Sequence, residues 1–146
     1  MARKVDWVIH AVVNGLPCHL CGKTPTRLLP NCCNAHTHGM EKYDHMDFQL
    51  VLNFPPHEIA RILNTLGLRV QDGEQFKNGD LVVGIYEGCD VRLTEFDEDG
   101  RTVLRVVIPD TKNRFPDNPE CSYPYTVQAL PTDALFEDSN LAFLPS

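Results

Sequence analysis

The side chains best suited to metal or nucleophilic chemistry crowd into one short stretch. Four of the six cysteines, Cys18, Cys21, Cys32 and Cys33, fall within sixteen residues, and His36, His38 and His45 follow them. Eleven residues separate Cys18-x-x-Cys21 from Cys33-x-x-His36. Two intervening residues let a tight turn aim both members of a pair at one point, and Gly22 suits such a turn. Zn²⁺ takes four thiolate or imidazole ligands tetrahedrally, so Cys18, Cys21, Cys33 and His36 make a closed, structural set. Cys32 is an alternative to Cys33, because adjacent strand residues face opposite ways. A redox role for Cys18 and Cys21 is disfavoured, since a redox CxxC caps a helix that follows a strand and here the expected helix precedes the motif.

A second set overlaps the first. The strand period puts His36 and His38 on one face, and His45, beyond the next turn, can fold back towards them. Three imidazoles with an open coordination position would activate water, as in a small metal-dependent hydrolase, with Asp47 or Glu41 as base. His38, His45 and Asp47 are therefore the candidate catalytic residues. The expected functional surface is a cleft near Thr37, His38 and His45. His36 cannot easily serve both sets, so the two readings compete. A nucleophile pair of Cys32 or Cys33 with His38 or His45 can also be drawn, but any chain with six cysteines and six histidines offers such pairs. No glycine-rich phosphate loop and no Gly-x-Ser-x-Gly elbow is present. Cys89 and Cys121 stand alone and read as small packed side chains.

These residues need elements to hold them. Val5, Val8, Ile9, Val12 and Val13 fall at helical spacing and predict a short N-terminal helix over 5–14, ended by Gly15 and Pro17. Residues 17–33 hold three prolines and no apolar period, so they need a staple to be ordered. Asn34 to Met40 and Phe48 to Phe54 alternate as strands. Pro55 and Pro56 open the principal helix, about 56–72, where Ile59, Ile62, Leu63, Leu66 and Val70 form one apolar stripe. Gly67 weakens its middle. Leu81 to Tyr86, Asp90 to Phe96 and Thr102 to Ile108 predict a three-stranded meander, with Asp97-Glu98-Asp99-Gly100 as the last turn. Residues 109–124 read as an irregular loop, Tyr125 to Leu130 as a final strand and Ala134 to Asp138 as a short terminal helix. The fold class is α+β, a mostly antiparallel sheet with one principal amphipathic helix packed on it.

The 146 residues fit a single domain, 1–146, with residues 17–36 as a zinc-knuckle segment inside it. A formal charge of −7 disfavours general binding to phosphate backbones. Arg3, Lys4, Lys23 and Arg27 make the first thirty residues locally basic, but Trp7 is the lone large aromatic there, and nucleic-acid binding stays disfavoured. No apolar run approaches the ~20 residues of a membrane span. The stretch after Arg3 and Lys4 contains Asp6, His10 and Asn14 and lacks a clean signal-peptide core. A cytoplasmic protein with reduced thiols is expected. The acidic stretch Asp90, Glu95, Asp97, Glu98 and Asp99 reads as the solvated side of a hairpin, or as a face for a basic partner.

Four motifs in order resemble the bacterial domain of unknown function 4262. They are His36-Thr37-His38-Gly39-Met40, Asp44-His45-Met46-Asp47-Phe48, Gly73-Glu74-Gln75-Phe76-Lys77-Asn78-Gly79-Asp80, and Pro109-Asp110 with Arg114-Phe115-Pro116. The third matches that family in full. In the first, His36 stands where the family carries tyrosine; the second keeps the histidine but not the proline and glutamate after it; in the fourth, Asp117 replaces tryptophan. The resemblance covers about 34–117 and makes the cysteine segment an addition. It implies a small bacterial α+β domain and no activity. The leading expectation is a binding or interaction domain with a structural zinc on Cys18, Cys21, Cys33 and His36. The alternatives are the hydrolase using His36, His38 and His45, and a metal-free acidic partner-binding protein of the immunity or inhibitor kind. The partner, a protein or a small molecule, and the oligomeric state are left open.

Overall fold

The structure is a computed structural model, and it describes residues 5–12 and 28–136. Six strands and one α-helix make an α+β fold: β1 Val8–Val12, β2 Cys32–His38, β3 Asp47–Leu52, α1 Pro56–Gln71, β4 Leu81–Tyr86, β5 Cys89–Glu98 and β6 Arg101–Val107. They form one sheet in the order β1-β2-β3-β6-β5-β4. Two antiparallel three-stranded halves, β1-β2-β3 and β6-β5-β4, meet at a parallel β3–β6 seam that pairs Asp47 with Val103, Phe48 with Leu104 and Gln49 with Arg105.

The helix forms where its sequence demands. Proline in the first turn removes a donor that would go unpaired anyway, and Glu58 and Arg69 sit at the ends that suit their charges. Ile59, Ile62, Leu63, Leu66 and Val70 are buried and join Phe48, Leu50, Leu93 and Leu104 in one core. Gly67 is where the Trp7 indole lies against the helix: a Cβ there would sit 2.4 Å from the ring. The indole Nε1 donates to Asn64 Oδ1 at 2.9 Å. Asp99 and Gly100 both take positive φ, as the expected tight turn between β5 and β6 requires.

Two elements differ from the sequence expectation. Val8 to Val12 is a strand on β2, not part of a helix. β-branched residues are stiff in a helix, and the ladder with a strand more than twenty residues away offers them a better place. Tyr125 to Ala129 is a 3-10 helix, not a final strand. Gln128 explains why: its side-chain amide accepts from Ile108 N and donates to Ile108 O, both at 2.7 Å. One side chain thus does what a neighbouring strand would have done for the end of β6. A second 3-10 turn covers Thr132–Leu135; the rest of the expected terminal helix, from residue 137, lies outside the described residues. These two turns pack against β2, β3 and β5. Beneath them a buried polar row crosses the sheet through paired positions, His10, His36, Gln49 and Arg105.

Candidate metal centre

The β1–β2 register sets His10 opposite His36, and His38 follows two positions on, on the same face. The three rings pack together, with centroids 5.5 Å apart for His10 and His36, 4.2 Å for His10 and His38, and 4.9 Å for His36 and His38. One ring nitrogen from each lies within 4.8 Å of the other two, the one such cluster of three potential ligands among the described residues. A tetrahedral ion ~2.05 Å from each nitrogen needs them about 3.4 Å apart, so the rings close in by roughly an ångström when an ion is bound. The Nε2 atoms of His36 and His38 are buried and meet no hydrogen-bond partner among the described residues. Buried polar atoms are rarely left so without cause.

Burial is also the main electrostatic influence. It pushes the His36 imidazolium down to about 4, against a weaker pull from Glu98. It lowers His10 and His38 too, helped for His10 first by His38 and for His38 first by Arg101. At neutral pH His36 is therefore a neutral imidazole, the form a metal takes.

Behind the rings lies a closed polar network. Nδ1 of His36 is 3.1 Å from Asn34 Oδ1, which also accepts from Gln49 Nε2 at 3.0 Å. Asn34 Nδ2 donates to Glu98 Oε2 at 3.2 Å, and Arg101 Nε donates to Glu98 Oε1 at 2.9 Å. Arg101 Nη1 donates to Asp47 Oδ2 at 2.7 Å. Gln49 Oε1 accepts from Arg105 Nε at 2.7 Å. Arg105 is fully buried, lies over the Phe96 ring and donates to the carbonyls of Gln128 and Leu130.

The structure brings together only part of what the sequence suggested. His36 and His38 meet as expected, but their third partner is His10, not His45. His45 is engaged elsewhere: Nδ1 donates to Met46 O at 2.7 Å, Nε2 accepts from Phe76 N at 3.0 Å, and the ring packs on Phe48 and Phe76. Asp47 Oδ1 accepts from Thr37 Oγ1 and Met40 N, and with Arg101 on Oδ2 both its oxygens are held. Glu41 is exposed. Cys33 is fully buried with its thiol directed to the carbonyls of Leu50 and Leu52, and burial pushes it up to about 12. Cys32 is a buried free thiol, and so is Cys121. Cys18 and Cys21 lie outside the described residues. The sequence reading missed His10, Asn34, Gln49, Glu98, Arg101 and Arg105. For His10 a signal existed: Val8-Ile9-His10-Ala11-Val12 is as rich in β-branched residues as a strand.

The first resemblance motif carries His36 and His38, while the other three prove to be scaffold. His45 of the second motif receives the Phe76 amide of the third, and Asp110 of the fourth collects the backbone N–H groups of Lys112, Arg114 and Ser122. The sequence model of the family described as Domain of unknown function (DUF4262) matches residues 1–122. The chain belongs to the DUF4262 family. That match is wider than the 34–117 of the motifs, and it runs through the cysteine segment, so a separate addition is not shown. No curated protein and no solved structure matches this DUF4262 chain. Among its described residues no helix is long and apolar enough to cross a membrane.

Proposed function

We propose that this DUF4262 protein binds a divalent transition metal through His10, His36 and His38, with at least one coordination position left for water or a small ligand. One observation carries the reading: three imidazoles converge within ligand range, and the fully buried one, His36, has a buried Nε2 with no hydrogen-bond partner among the described residues. Imidazole sets of this kind suit zinc, iron, nickel or copper, and zinc is the first ion to try. Three protein ligands leave the position at which zinc lowers the pKa of bound water towards neutrality. Asp47 and Glu98 are held by Arg101 and its neighbours, so they support the site by charge.

The test is elemental analysis of untagged protein purified without added metal or chelator, followed by zinc titration. About one zinc per chain is expected, lost in His10→Ala and His38→Ala and kept in a Cys18→Ala, Cys21→Ala double variant, with circular dichroism to check folding. Zinc kept by the histidine variants and lost from the cysteine variant would replace this centre with the Cys18, Cys21, Cys33 and His36 set. No uptake of zinc, iron(II) or manganese by the wild-type protein would sink the metal reading altogether.

A further inference from the structure

The polar row behind the rings dictates which nitrogen of His36 is free, an inference that rests on the three-histidine reading and deepens it. Arginine has only donors. The Gln49 atom that Arg105 Nε meets at 2.7 Å is therefore the amide oxygen. The other end of that amide is then the NH₂ group, and the Asn34 atom it meets at 3.0 Å must be an oxygen. The far end of Asn34 agrees, because its NH₂ faces the Glu98 carboxylate at 3.2 Å. His36 Nδ1 lies 3.1 Å from that same Asn34 oxygen, which can only accept. Nδ1 must carry the ring proton, and Nε2 is left as a lone pair. We propose that Arg105 and Gln49, acting through Asn34, are positioning residues that hold His36 as its Nδ1–H tautomer and so present Nε2 to the metal. A metal-binding histidine usually donates its other ring N–H to an outer partner, and loss of that partner typically weakens binding 10–100-fold. Here the partner is itself oriented by an arginine two side chains further away.

Gln49→Glu tests this by changing one atom group and almost no volume. The new carboxylate still accepts from Arg105, but its second oxygen faces the Asn34 oxygen. The Asn34 amide turns over so that its NH₂ meets the new carboxylate and His36 Nδ1; its oxygen then faces Glu98 Oε2, which takes up a solvent proton to donate to it, and the His36 ring proton moves to Nε2. Zinc affinity should fall at least ~10-fold. Charge alone gives the opposite sign, since an added carboxylate near a cation would tighten binding.

The measurements are ¹⁵N spectra of the histidine rings in metal-free protein and zinc titration against a competing chelator. The expected result is an Nδ1–H ring for His36 in the wild type, an Nε2–H ring in the variant, and weakened zinc binding. Zinc binding by the wild type with unchanged or tighter binding by a folded Gln49→Glu variant overturns the positioning role and leaves the metal reading standing. An Nε2–H His36 in the wild type overturns it whether or not the variant folds. A wild-type Nδ1–H ring in a protein that takes no zinc supports the positioning network and refutes the metal reading instead.

Discussion

Gly67→Ala should destabilise this protein, although the same change in an exposed helix interior would stabilise it by ~1 kcal/mol. The added methyl would lie 2.4, 2.7 and 2.9 Å from three atoms of the Trp7 ring. Carbon atoms in comfortable contact stand ~3.5–4.0 Å apart, so the ring must move by about an ångström. Moving it strains the hydrogen bond to Asn64, worth ~1 kcal/mol. Overpacking of this kind costs ~1–3 kcal/mol. Set against the propensity gain, the net loss is about 1–3 kcal/mol, or roughly 3–10 °C in Tm for a chain of this length.

Urea and thermal unfolding measure the loss. Trp7 is the single tryptophan, so its fluorescence reports the same contact directly and should shift to the red. Removing the ring should reverse the sign: in a Trp7→Leu background, Gly67→Ala should stabilise, giving a coupling energy above ~1 kcal/mol in the double-mutant cycle. A Gly67→Ala variant as stable as the parent, with unchanged emission, would show that the indole does not rest there. The anchoring of β1, and with it the placing of His10, would then need another account.

Metal-free protein should lose stability as pH falls from 6.5 towards 4. His36 has its folded value depressed to about 4, so the unfolded chain binds the proton first and stability drains away through that window, by on the order of 3 kcal/mol for this one residue; a flat urea midpoint between pH 7 and 4.5 would contradict its burial. Arg101→Met should cost ~3–5 kcal/mol in a chemical melt, because it leaves Asp47 and Glu98 buried without their cation; a loss under 1 kcal/mol would mean both carboxylates reach water. Cys33 should resist aromatic disulfide reagents at pH 8 in native protein and react on unfolding, and labelling of the native thiol, located by peptide mass, would count against its buried position.

The parts of the fold legible from sequence are those whose cause is local. Pro55-Pro56 and the stripe from Ile59 to Val70 define α1 within a residue, and Asp99-Gly100 marks its hairpin. What was illegible depends on distant partners. Val8 to Val12 has a helical apolar spacing and becomes a strand only because β2 is there to pair with it. Gln49 and Arg105 are polar residues of alternating strands, yet both are fully buried, because each satisfies the other and the turns at 125–135 roof them over. Tyr125 to Ala129 alternates like a strand, and one glutamine side chain takes over the pairing. At the candidate centre the His36 and His38 spacing was enough to place two imidazoles together. The third could come from either side in sequence, and only the register decides for His10 over His45.

The short parallel seam between β3 and β6 also sets an order of events during folding. The pairings inside each antiparallel half span at most about thirty residues, as between Val8 and His38, whereas the seam joins Asp47 to Val103 across fifty-six. Closing that longer span carries a larger entropy cost, so the seam is expected to form last. All three histidines belong to the early half, and Arg105 belongs to the other. A chain caught before the seam closes already holds the ligands side by side, but Gln49 has no arginine to orient it and the proton on His36 is free to sit on either nitrogen. Zinc added during refolding should therefore bind in two kinetic phases, a weak one while the halves are apart and a tight one at the rate at which they join.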